Sequence, residues 1–170
     1  LGTVLRLGAV YGGRIKGNYR RLLIALARHR FAPIGPGTNR RTLVYDRDVG
    51  RAAVLAAIHP DAAGRIFNVT DGEIHTMHSI IGILCDALGR RPPRLTLPVN
   101  IIRELAGVME NGARLCGLSS PVVRATIDKY VEDAAVDGNR FCEQLGFVPW
   151  YDLASGWRET VAEMRQSGDL

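Results

Sequence analysis

Cysteine is scarce in this chain of 170 residues, with three in all. Cys85, Cys116 and Cys142 are odd in number and keep no metal-ligand spacing. Neither a disulfide framework nor a thiolate metal site is expected, and they read as buried free thiols in a reducing cytoplasm. Aromatic residues are also sparse, at 6%. The arginines are spread in pairs, such as Arg20-Arg21, Arg40-Arg41 and Arg90-Arg91, with no dense basic stripe and no interleaved rings. That argues against a nucleic-acid surface despite a formal net charge of +5. A small anionic ligand is a better use of a few placed arginines. No apolar run approaches the roughly 18 residues of a membrane span. The first stretch has neither the basic leader nor the small-residue cleavage site of a signal peptide. No repeat or low-complexity tract divides the chain. His29, His59, His75 and His78 share no ligand spacing beyond a loose pair at 75 and 78. That pair reads as solvated helix-start residues, and no metal is expected.

What is present has the composition of one ordinary globular domain, with 46% hydrophobic and 23% charged residues. Thr3 to Val10 is apolar and β-branched apart from Arg6, and Gly12-Gly13 punctuates its end, so it reads as a buried strand. The spacing of Leu22, Leu23, Leu26 and Ala27 predicts a helix over 17–30. Residues 31–37, broken by Pro33, Gly35, Pro36 and Gly37, form an extended piece, and 41–45 a short strand. Helix 46–59 opens on N-cap chemistry, 63–72 holds a strand, and helix 76–89 starts at a Thr76 cap and stops at Gly89. Further helices are expected over 98–116, 119–132, 138–145 and 152–167, with Trp150 and Trp157 as packing aromatics. Nothing later repeats the pattern of 3–10. A parallel strand needs neighbours on both sides, so the sheet of that strand is expected to lie upstream of Leu1.

Four segments in order, "LRLGAVYGG", "GPGTNRRTLVYDRDVGRA", "GRIFNVTDGEIHT" and "EQLGFVP…GWRETV", resemble the C-terminal half of an extended short-chain dehydrogenase/reductase. More narrowly, they are similar to the NAD-dependent epimerase/dehydratase family, to which UDP-glucose 4-epimerase belongs. The resemblance implies an α/β fold: one late Rossmann strand at 3–10 and a mainly helical substrate lobe with short strands. Residues 1–170 would form this single lobe, with the N-terminal Rossmann half absent. It implies NAD as cofactor, a nucleotide sugar as substrate and a cytoplasmic location. The family's glycine-rich fingerprint does not occur here. None of Tyr11, Tyr19, Tyr45, Tyr130 and Tyr151 has the lysine four residues on that the family's Tyr-x-x-x-Lys requires. No catalytic residue is therefore assigned, and the chain alone is expected to be inactive.

By the same resemblance, the backbone at Leu7 and Gly8 would pass under the nicotinamide, glycine admitting close approach. Arg41 would hold the diphosphate of the nucleotide sugar in a planar two-point contact. Asn18 and Tyr19 would meet phosphates or sugar at a helix start, and Ala32 and Ile34 would edge the base. Plain alternatives stay open: a turn glycine at 8, an N-cap at Asn18, a surface arginine at 41. The sequence departs from the family pattern at Ala9, where many members carry asparagine, at Tyr45-Asp46, and at Ile34, where they carry a ring. No Arg-x-Gly-Asp-like element is visible in "RATIDKYVED"; Arg124 or Asp128 would have to replace it. Asp48 reads as a helix-start or packing residue. Two other functions remain: an NAD(P)-dependent reductase or hydroxysteroid-type dehydrogenase of the same fold, and a non-catalytic ligand- or protein-binding domain. An orphan strand at 3–10 would pair with another copy of the chain or stay displaced.

Overall fold

The computed structural model describes residues 1–115 and 124–170, with side chains outside 110–127. Strand β1 (Val4–Leu7) and strand β2 (Ala9–Tyr11) divide the expected 3–10 strand at Gly8. Helix α1 follows (Asn18–Ala27), then β3 (Arg40–Arg41), β4 (Leu43–Tyr45), α2 (Asp46–Ile58) and a 3-10 turn at Pro60–Ala62. The remainder is β5 (Ile66–Val69), β6 (His75–Thr76), α3 (Met77–Leu88), α4 (Val99–Leu115), α5 (Arg124–Val131), α6 (Asn139–Leu145) and α7 (Leu153–Gln166). Cys116 and part of the expected 119–132 helix lie outside the described residues. Among the described residues, no helix is long and apolar enough to cross a membrane.

The first strand is not an orphan. β1 runs parallel to β5, Val4 opposite Ile66 and Leu7 opposite Val69. β2 runs parallel to β4, Ala9 opposite Leu43 and Tyr11 opposite Tyr45. The neighbours are short and lie 33 or more residues further on, so the sequence pattern of 3–10 is not echoed by them. The change of partner occurs at Gly8: its N–H donates to Val69 O at 2.9 Å, and the Ala9 N–H donates to Thr42 O at 2.9 Å. Val4, Leu7, Val10 and Ile66 remain exposed.

Strand alternation divides the interior into two cores. Leu43 and Tyr45 face one, with Tyr11, Leu23, Ile80, Leu84, Trp157 and Val161. Val44 faces the other, with Ala52, Phe67, Val69, Phe141 and Phe147. α3 buries Met77, Ile80, Ile81, Leu84, Cys85 and Leu88, a helical stripe. Its ends are as expected: the Thr76 hydroxyl accepts the Ser79 N–H at 3.1 Å, and Gly89 closes it with φ 72°. α7 presents Trp157 to a stack on Tyr11, with centroids 4.4 Å apart. Gly156 makes that approach possible, because a Cβ there would lie 2.3 Å from the Tyr11 hydroxyl.

Two expectations are corrected here. Trp150 is 71% exposed rather than packed in a core, and the Arg51 guanidinium lies on its ring at 3.6 Å. Asp46 is the first residue of α2, and Tyr45, which makes no side-chain cap, precedes it. Asp48 is the packing residue expected: buried, it accepts the N–H groups of Trp150 and Tyr151 at 3.0 Å and pairs with Arg51 at 2.7 Å. It fastens the start of α2 to the lead-in of α7.

Candidate functional site

A cavity of about 520 Å³ opens between the first turns of α1, the start of α3 and the end of α5. Asn18, Tyr19 and Arg41 line it together, although Arg41 is 22 or more residues from the other two. α1 brings Asn18, Tyr19 and Leu22 to this wall, and its Leu23 and Leu26 anchor the helix in the core. The N-cap of α1 is Gly17, not Asn18, so the Asn18 side chain is not held by capping. Arg21, Leu22, Ala25, Phe31, Met77, Lys129 and Tyr130 complete the lining and were not anticipated as site residues. Phe31 places an aromatic ring on the lining, and the signal was its place directly before Ala32. Ala32 and Ile34 are outside the lining; Ile34 instead bridges to Leu97, with the Gly35 N–H donating to Leu97 O at 2.9 Å.

Arg41 is neither a free surface side chain nor an open phosphate clamp. Its Nη2 donates to Lys129 O at 3.3 Å and Tyr130 O at 3.1 Å, and its Nη1 to Arg40 O at 3.2 Å and to Glu132 O. Three of those carbonyls lie at the C-terminal end of α5, where carbonyls lack helical partners and the helix dipole favours a cation. Neighbouring bonds hold the same segment: Asn39 Nδ2 donates to Tyr130 O at 2.9 Å, and the Ala134 N–H donates to Arg40 O at 2.8 Å.

The cavity wall also holds two buried phenol oxygens without hydrogen-bond partners among the described residues, those of Tyr19 and Tyr130. Burial pushes the Tyr19 phenol up to about 12, with Arg41 acting in the opposite direction. The Tyr130 phenol is raised by burial too, again opposed by Arg41. Both stay protonated near neutrality and are poor bases there.

Leu7 and Gly8 stand at the carboxyl end of β1, where ligands meet parallel sheets. Leu7 is exposed, which fits a cofactor face. Gly8 fits less well. A Cβ on it would come within 3.0 Å of the Thr42 carbonyl oxygen, so its missing side chain admits the neighbouring strand.

His75 differs from its expected solvated state. It is buried, and its Nε2 lies 2.7 Å from Asp71 Oδ2, whose side chain is 2% exposed. The bond to Asp71 raises its pKa, against the effect of burial. β6 places His75 opposite Arg41, so the pair braces the strand that carries Arg41. Asp128, considered as a ligand contact, is bonded to Arg103 at 3.3 Å, and the Arg124 side chain lies outside the described residues.

Residues 2–70 match the NAD dependent epimerase/dehydratase family. UDP-glucose 4-epimerase of Vibrio cholerae is 28% identical over 169 residues, which cover 98% of this chain and 48% of that protein. An uncharacterised protein of Escherichia coli, YbjS, is 31% identical over 108 residues, covering 64% of this chain and 32% of its own length. Among solved structures, UDP-glucuronic acid 4-epimerase from Bacillus cereus, in complex with UDP-glucuronic acid and NAD, superposes with a TM-score of 0.66. It has 20% identity over 97% of this chain and 45% of that one. The chain therefore shares the α/β fold of that epimerase structure. The chain spans half or less of the length of the curated relatives it matches, 32% to 48%.

Proposed function

We propose, from this similarity to the NAD dependent epimerase/dehydratase family, that the chain is the substrate-binding portion of a nucleotide-sugar epimerase or dehydratase. The observation that carries the reading is the 520 Å³ cavity, which gathers Asn18, Tyr19 and Arg41 from separate elements onto one surface. Its apolar wall of Phe31 and Met77 suits a base or sugar face, and its rim carries cations for phosphates. In such enzymes NAD supplies reversible acceptance of hydride from the sugar. The residues of this chain bind and orient the substrate, and Leu7 would border the nicotinamide. The proton-transfer pair is missing from the 170 residues, so turnover would require residues beyond them. Self-association through residues 3–10 belongs to the same proposal, supported by the exposed Val4, Leu7 and Val10. Light scattering that finds a monomer at every concentration would overturn that part.

A second reading is favoured by one feature. Arg41 is engaged with α5, and most of the cavity wall is apolar, as a reductase or hydroxysteroid-type dehydrogenase would need. Calorimetric titration of the chain with UDP-glucose and with a hydroxysteroid separates the two. Binding of UDP-glucose, competed by UDP, supports the first, and binding of the steroid alone supports the second.

A further inference from the structure

An anionic ligand in this cavity needs a cation with free hydrogens, and Arg41 keeps only its Nε–H while it caps α5. Its two terminal nitrogens already donate to the carbonyls of Arg40, Lys129, Tyr130 and Glu132. Arg21 has no such commitment. It lies in the first turn of α1 and lines the 520 Å³ cavity. It also lines a second cavity of about 780 Å³, formed by the loop at 13–17, the first turn of α1 and the end of α7. The two cavities thus share one cationic side chain.

The second cavity carries excess positive charge. Arg14 and Lys16 line it beside Arg21, and among the described residues none of these three side chains has an ion-pair or hydrogen-bond partner. Its two carboxylates are already neutralised: Glu163 pairs with Arg47 at 2.5 Å, and Asp169 with Arg20 at 2.8 Å. Three unpaired cations around one concavity make a field that concentrates anions.

We infer that Arg21 holds the anionic end of this protein's ligand. The ligand is an elongated molecule whose ring portion lies against Tyr19, Phe31 and Met77 and whose phosphate-type end passes Arg21 toward Arg14 and Lys16. The inference rests on the substrate-site reading given above. It assigns the phosphate contact to Arg21 and leaves Arg41 as a positioning residue that holds the α5 wall.

The test is calorimetric titration of the chain with UDP-glucose, UDP and inorganic pyrophosphate, alongside Arg21→Gln, Arg14→Gln/Lys16→Gln and Arg41→Gln, with the Tm of each variant. Arg21→Gln is expected to weaken pyrophosphate and UDP by about tenfold or more at unchanged Tm, as loss of one charge-assisted contact would. The Arg14/Lys16 double variant should weaken both less, and should flatten the fall of affinity with salt. Arg41→Gln should lower Tm and leave pyrophosphate affinity within about twofold. The inference is overturned if Arg21→Gln binds pyrophosphate like the parent, or if Arg41→Gln loses it at unchanged Tm. Arg21-dependent binding of pyrophosphate without any binding of UDP-glucose keeps the inference and removes the nucleotide-sugar reading. Binding of UDP-glucose indifferent to Arg21→Gln does the reverse. A parent that binds none of the three overturns both.

Discussion

At the scale of single residues, two buried acidic groups answer different needs. Asp48 satisfies two backbone N–H groups and one guanidinium, so Asp48→Ala leaves both N–H groups without that acceptor and Arg51 with the Val148 carbonyl alone. Loss of a buried, multiply bonded carboxylate is expected to cost about 3 kcal/mol, read as a lower midpoint in urea at unchanged slope. Asp71 instead pairs with His75 and raises its pKa in the folded chain. A raised folded value means the pair's contribution is complete below the ordinary imidazole value of 6.5 and fades as the pH climbs through the folded value. Unfolding free energy should therefore fall from about pH 6 upward, and His75→Asn should flatten that decline. A decline that survives the substitution would assign it to another group.

Between elements, the spacing of strands depends on Gly8. The Thr42 carbonyl oxygen and carbon would lie 3.0 and 3.2 Å from a Cβ at that position, and both atoms belong to backbone that is fixed by pairing. Gly8→Ala is expected to push β2 away from β4 and cost about 1–3 kcal/mol, seen as a lower Tm without added ligand. If the substitution changed only cofactor binding in a longer protein, at unchanged Tm, the glycine would be serving the ligand rather than the sheet. The α5 end shows the same dependence of one element on another. Its carbonyls are capped by an arginine 88 to 91 positions away in sequence, so the wall of the cavity is held by β3.

For the whole molecule, the two cores meet along β4, which sends Leu43 and Tyr45 to one side and Val44 to the other. That arrangement carries the 520 Å³ cavity, and the sequence holds no Tyr-x-x-x-Lys. The chain supplied with NAD and UDP-glucose is expected to give no epimerised sugar by NMR, even at concentrations where calorimetry detects binding. Turnover by the isolated chain would mean that other groups here perform the chemistry.

Much of this was legible from local chemistry. Thr76 and Gly89 mark the ends of α3, because a hydroxyl cap and a left-handed glycine act within one helical turn. The stripe on α7 follows the same logic of short spacing. The resemblance singled out Asn18, Tyr19 and Arg41, which the fold does bring onto one cavity. What the sequence by itself could not decide depends on contacts between distant segments. Trp150 reads as a core residue until Arg51 is found covering it in the open. His75 reads as solvated until Asp71 is found beside it in the interior. Arg41 reads as a phosphate ligand, and the fold engages both its terminal nitrogens with carbonyls at the end of α5. Periodicity and capping report what a residue does to its neighbours within a turn. The use of a charged side chain is set by which partner the tertiary fold delivers to it, and that partner is not encoded nearby.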